Sequence, residues 1–144
     1  MTGRDFVACA EQFARGPTEA VLRSAVSRAY YGAFHEALAL LHTCGVWLPK
    51  TEQVHVKLGY CLRDCGDSDA AEAGRELEIL RSKRKAADYD LVDDRFVAAR
   101  AVSSEIARAR KILATIDQLN SGAATDFRAK VRACARLLGL SVSD

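Results

Sequence analysis

Proline is scarce in this chain, at positions 17 and 49 only, and the strict alternation of apolar and polar residues that marks half-buried strands is missing. Those two absences exclude an ordinary sheet protein and leave a chain that is almost entirely helical. No run approaches the roughly 20 apolar residues that a membrane-spanning helix needs. The opening MTGRDFVACA carries Asp5, with Glu11 just beyond, where a secretory leader would be apolar. A cytoplasmic protein with no membrane span is the expectation. No CxxC pair occurs among the five cysteines, Cys9, Cys44, Cys61, Cys65 and Cys134, and an odd set argues against a disulfide framework and a structural zinc site alike. Cys61 and Cys65 can meet on one helical turn, as a metal or redox pair or, more simply, as small buried thiols. No metal and no cofactor are expected. Strong charge of one sign is also lacking: 21 basic and 19 acidic residues leave a net +2, so nucleic-acid binding must be argued from local clusters and not from bulk electrostatics.

What is present fits one domain with a real core: 144 residues, 49% hydrophobic and 28% charged. Turn signals divide it into five or six helices. The first covers about residues 2–14 and stops at Gly16-Pro17, after which Thr18 caps a long second helix running to about Cys44. Leu22, Val26, Ala29, Ala33, Ala37, Leu40 and Cys44 recur along it at spacings of three and four, a stripe whose small residues let another helix come close. Gly45 ends that helix, and Val46-Trp47-Leu48-Pro49 reads as an apolar loop before a third helix from Thr51 to about Cys65. After Gly66-Asp67-Ser68 a fourth helix is expected over about 68–91, with Leu77, Leu80, Ala87 and Leu91 on its buried side. Asp93-Asp94 suits the start of a fifth, about 94–119, with Phe96, Ala99, Val102, Ile106, Ala109, Leu113 and Ile116 at helical spacing and Asn120-Ser121-Gly122 as its stop. A last helix, about 125–138, carries Arg128, Lys130, Arg132 and Arg136, a basic side that is either solvated or turned to RNA or a partner. The expected fold is an all-α, up-and-down helical bundle over residues 1–120, with residues 121–144 as a C-terminal basic helix packed on it or appended.

Two stretches carry chemistry-bearing residues. In RSAVSRAYYGAFHEALALL, Ser24, Arg28, Tyr31 and His35 form one polar and aromatic stripe, with Ser27, Tyr30 and Phe34 on the neighbouring strip. Either these rings are core, with hydroxyls and imidazole finding partners, or they line a cleft. Tyr30 and Phe34 suit packing; Ser27, Arg28, Tyr31 and His35 suit a cleft border. In LRSKRKAADYD, residues 81–85 hold four cations in five positions, and Arg81, Arg84 and Asp88 share a face. Arg84 and Asp88 form either an exposed helix pair worth about 0.3–0.5 kcal/mol or, if half buried, the start of a phosphate site, because a guanidinium offers two-point geometry and stays charged. Tyr89 adds a hydroxyl there, or packs into the core.

Together, RSAVSRAYYGAFHEAL and the later LRSKRKAADYD resemble the HEPN superfamily of small helical proteins over about residues 3–118. That family pairs an SRAYYAAFH-like helix with a later helix bearing an arginine, four to six residues, and then histidine. The resemblance implies a bundle that forms a homodimer, with an RNA-binding cleft where the arginine holds the scissile phosphate and the histidine assists the 2′-hydroxyl, without metal. Arg84 is the best match to the motif arginine, and Arg81, Lys85, Arg28, Tyr31 and Ser27 are candidate RNA contacts. Four intervening residues lead from Arg84 to Tyr89, not to histidine. A phenol with pKa near about 10 is a poor base at neutral pH, so Tyr89, Asp88 and His35 are the candidates for proton transfer, with His55 a further imidazole and His42 a surface or capping residue.

Three functions compete. The first is a metal-independent endoribonuclease of a toxin–antitoxin or antiviral defence system, acting as a dimer. The second is a non-catalytic HEPN-like module that binds RNA or a nucleotide, or docks a nucleotidyltransferase or another defence-system protein. The third is a helical adaptor with its aromatic stripe and Trp47 buried at an interface.

Overall fold

The computed structural model describes residues 1–121 and 125–144. The fold is all-α, a helical bundle whose described residues form six α-helices, one 3-10 turn and a pair of two-residue strands. The Gly122 of the expected stop lies outside the described residues. The chain divides into two compact units, Met1–Glu36 with Glu76–Ile112 and Ala37–Arg75 with Leu113–Asp144. None of the helices among the described residues is long and apolar enough to cross a membrane.

The first unit begins with α1, Gly3–Phe13, whose start is fixed by the Asp5 carboxylate accepting the Thr2 N–H at 2.6 Å. α2, Glu19–Thr43, opens as expected behind Thr18, whose hydroxyl oxygen accepts the Val21 N–H at 3.4 Å. Gly32 is where α1 crosses it. A Cβ there would lie 2.5 Å from Val7 Cγ2 and 2.7 Å from the Gly3 carbonyl oxygen, so only a missing side chain permits this approach. Val7, Ala10, Val26, Ala29 and Ala33 are fully buried along the crossing.

The part of α4, Ser68–Tyr89, from Glu76 onward and the part of α5, Ala99–Asn120, up to Ile112 complete this unit. α4 ends two residues before the expected limit, and Leu91 is 76% exposed instead of buried. α5 begins five residues after its expected start at 94. The intervening Asp94–Phe96 forms a 3-10 turn because Asp93 caps it, accepting the Arg95 N–H at 3.0 Å and pairing with the Arg95 guanidinium, while Phe96 is buried. That pairing holds the Asp93 carboxyl down at about 2. Glu76, Glu105 and Arg108 form a partly buried charge network between α4 and α5.

In the second unit Gly45, at φ +79°, ends α2 as the sequence suggests. The apolar stretch after it is not simply a loop. Val46–Trp47 is strand β1 and pairs antiparallel with β2, Ser141–Val142, where the sequence offered no alternation to read. α3 spans Val54–Arg63, shorter than expected, and α6 spans Thr125–Leu137 and packs against α3 and both strands. Leu58, Cys61, Leu62, Phe127, Val131 and Ala135 are its core.

Candidate functional site

One strip of α2 faces the last two turns of α4 inside the first unit. Arg23, Ser27, Tyr30 and Tyr31 stand at i, i+4, i+7 and i+8 on α2, and Arg84 and Asp88 stand four apart on α4. The strip is readable from helical spacing alone. Its meeting with α4 is not.

Arg84 is 8% exposed, and its guanidinium carbon lies 5.6 Å from the Tyr30 ring, 5.4 Å from Tyr31 and 5.8 Å from Tyr89. Three electron-rich faces attract the cation, a gain that the desolvation of its charge opposes. Its ionic partner is Asp88, at 3.6 Å, longer than a hydrogen bond. Asp88 also accepts the Ser27 hydroxyl at 3.2 Å. The Nε atoms of Arg84 and of Arg81 are both buried with no hydrogen-bond partner among the described residues. An unmet donor on a buried cation is costly, so a site that keeps two of them close together calls for an explanation.

Tyr30 connects the two arginines. Burial pushes its phenol up to about 12, against the opposing pull of Arg81 and Arg84. It therefore stays protonated at neutral pH, offering its ring face to Arg84 and not a base. Tyr89, the last residue of α4, is 76% exposed with one face turned to Arg84.

The other expected site residues divide. Tyr31 bridges two cations, since the Arg28 guanidinium lies 5.8 Å from the same ring that Arg84 approaches. Arg28 also covers the Phe6 ring at 5.0 Å. His35 is exposed and stacks on Phe6 at 5.6 Å, with Tyr31 at 6.4 Å, so it borders the aromatic strip on the α1 side. Lys85 is exposed, because a residue adjacent to Arg84 on a helix points elsewhere. His42 and His55 belong to the other unit, His42 stacked on a half-exposed Trp47 at 4.5 Å. Beside the cluster an open groove of about 560 Å³ is lined by Phe6, Cys9 and Phe13 from α1, by Ser24, Ser27 and Arg28 from α2, and by Asp88.

Two residues escaped the sequence reading. Phe6 orders Arg28 and His35, and its only sequence signal is its place on a short amphipathic helix. Arg23 donates to carbonyls at and just beyond the C-terminal end of α4, and its signal is its place one turn before Ser27 on the same strip.

The remaining nucleophiles and cations are accounted for structurally. Burial raises the thiols of Cys44, Cys65 and Cys134 and pushes that of Cys61 up to about 12, which removes them as thiolates at neutral pH. Among the described residues no group of three or more His, Cys, Asp or Glu side chains is placed to hold a metal ion. The basic side of α6 is largely engaged within its own unit. Arg128 and Arg132 donate at 2.9 Å to the carbonyls of Thr43 and Cys44 at the end of α2, and Lys130 lies 3.4 Å from the Gly66 carbonyl.

No protein-family model, no curated protein and no solved structure matches this chain.

Proposed function

We propose that this chain is a HEPN-like module that holds a phosphate of RNA or of a nucleotide at Arg84. The observation that carries the reading is the buried Arg84 guanidinium, ringed by Tyr30, Tyr31 and Tyr89, with its Nε lacking an acceptor among the described residues and the Asp88 carboxylate 3.6 Å away. A phosphate oxygen supplies the missing acceptor, and the planar fork suits two-point contact with it. Arg81 adds a second cation, Arg28 and Tyr31 extend the surface along α2, and the exposed Tyr89 ring offers a face for a base. Homodimerisation and a nucleotidyltransferase or other defence-system partner belong to the same proposal.

Asp88 favours a second reading, metal-independent endoribonuclease action. Its carboxylate stands beside Arg84 and is oriented by Ser27, where a general base is required. The 2′-hydroxyl proton passes to Asp88, the 2′-oxygen bonds to phosphorus, the bond to the 5′-oxygen breaks, and the Tyr89 hydroxyl protonates the departing oxygen. Arg84 stabilises the charge that gathers on the phosphoryl oxygens.

The test uses a fluorescent single-stranded RNA in EDTA, followed by anisotropy and by product analysis. Wild type is expected to bind. Arg84→Ala is expected to weaken binding at least about tenfold and to reduce the dependence of log K on log salt by about 0.7, the loss of one phosphate contact. Cyclic phosphate ends that vanish in Asp88→Asn support the ribonuclease. Equal binding by wild type and Arg84→Ala would sink the proposal and favour an adaptor role.

A further inference from the structure

We propose that Arg23 is a positioning residue for the Arg84 site, an inference that rests on the phosphate-binding reading of that site. The Arg23 guanidinium binds backbone carbonyls on both sides of Asp88 and Tyr89. Nη1 donates to the carbonyls of Ala86, Ala87 and Asp90 at 3.3, 2.9 and 2.9 Å, and Nη2 to those of Leu91 and Asp93 at 3.4 and 2.6 Å. Nε donates to Glu19 at 2.8 Å, and the guanidinium carbon lies 5.2 Å from the Phe96 ring.

An α-helix leaves its last carbonyls without intrahelical donors and with a negative dipole end. Many helices meet that need with a glycine just past the end. α4 has none there: Tyr89 is followed by Asp90, Leu91 and Val92, the latter two largely exposed. A cation from α2 performs the capping in place of local sequence. The carbonyls so bound lie on either side of the final two residues of α4, and the side chains of those two complete the Arg84 cluster: Asp88 as its ionic partner and Tyr89 as its outer ring. Terminal turns of helices fray when uncapped. Without Arg23 the cluster would keep Arg84, Tyr30 and Tyr31, and Asp88 and Tyr89 would be free to swing away.

Arg23 and Ser27 thus act from consecutive turns of α2 on consecutive features of α4, one on backbone and one on the Asp88 carboxylate. A bare stabilising role requires only that the helix end be capped. A positioning role requires in addition that Tyr89 and Asp88 lose their relation to Arg84 when the fork is removed while the protein stays folded.

The test labels the protein with fluorotyrosine and follows the Tyr89 resonance, assigned by its loss in Tyr89→Phe, in the ligand-free chain. In wild type this resonance should shift on Arg84→Ala, because the guanidinium faces the ring. In Arg23→Gln it should move and cease to respond to Arg84→Ala, while Tyr60, on α3 in the other unit, stays in place and circular dichroism is unchanged. Arg23→Lys, which keeps the charge without the fork, should fall between the two and serves alone if the glutamine variant does not fold. A Tyr89 resonance that stays at its wild-type position and still responds to Arg84→Ala overturns the inference.

The second arm measures RNA affinity. Arg23→Gln should weaken it about tenfold, as displacement of a supporting group does, with the salt dependence left at its wild-type slope because no phosphate contact is lost. Unchanged affinity in a wild-type protein that binds also overturns it. If wild type binds no RNA, the phosphate reading of Arg84 fails, and the fluorine measurement decides the role of Arg23 by itself.

Discussion

Two guanidinium groups of the first unit are almost equally withdrawn from water, Arg23 at 6% exposure and Arg84 at 8%, yet their surroundings are opposites. Around Arg23 are five backbone carbonyls and the Glu19 carboxylate, so its donors are met by fixed acceptors. Around Arg84 are three aromatic faces, one carboxylate beyond hydrogen-bond distance and an Nε with no acceptor. The first arrangement is what folding alone would select. The second retains a desolvated charge that the fold does not use fully, and on that difference the proposed phosphate site rests. The arginines of α6 in the second unit side with Arg23, since Arg128 and Arg132 both end on carbonyls.

The largest consequence falls on stability. Arg23→Ala leaves the α4 carbonyls facing a hole lined by Phe96 and should cost about 3 kcal/mol in urea unfolding, in the range of charged hydrogen bonds with their acceptors stranded. Arg23→Lys should recover part of that loss, as an ammonium reaches fewer of the five carbonyls. A cost below about 1 kcal/mol, the size of a surface change, would mean that water replaces Arg23 easily and that the two arginines do not differ in kind.

Arg84→Leu should behave the other way. An apolar side chain of lesser reach removes an unpaired buried donor and sets Asp88 free to solvent, so stability should change by less than about 1 kcal/mol, or rise. RNA affinity should fall in the same variant. Stability gained with function lost is the pattern expected where a site stores an unfavourable charge. Equal destabilisation by Arg84→Leu and Arg23→Ala would break the contrast and make Arg84 a structural residue.

The sequence made much of this visible and hid one part for a definite reason. Helical character followed from two prolines and unbroken spacings of three and four, and Thr18 and Gly45 marked the ends of α2 through ordinary cap chemistry. Arg84, Asp88, Tyr31 and Ser27 were each identified from spacing on a single helix, and they do meet. What spacing on one helix cannot supply is register between two. That is why Tyr30 was placed in packing alone although it also walls the two arginines, and why His35, on the same stripe as Tyr31, turned out to stack on Phe6. The end of α4 is not legible because its determinant is long-range, Arg23 lying more than sixty residues from the carbonyls it binds, whereas α5 starts late because Asp93 caps a 3-10 turn instead of the helix. The β1–β2 pair escaped notice because two-residue strands leave no period to detect.

The smallest expected effect tests whether the charge of Arg84 is felt inside the cluster. Burial raises the Tyr30 phenol from 10.0 to about 12, while Arg81 and Arg84 draw it back down. The neutral form is therefore favoured on folding. The stability tied to Tyr30 is complete below about pH 10, where the unfolded phenol begins to ionise, and is lost as the pH rises towards 12. Tyrosinate absorbance of the folded protein should show a late step near 12 that Tyr30→Phe removes, and the variant should lose less stability than wild type across that window. Other alkaline groups, the Cys61 thiol among them, act equally in both proteins and drop out of the difference. In Arg84→Leu the late step should move higher still, because a cation that favours the phenolate has gone. Were the step to stay in place, the guanidinium would be too far from, or too well screened against, the Tyr30 oxygen to serve with it in binding a phosphate, and the contrast with Arg23 would reduce to a difference in packing.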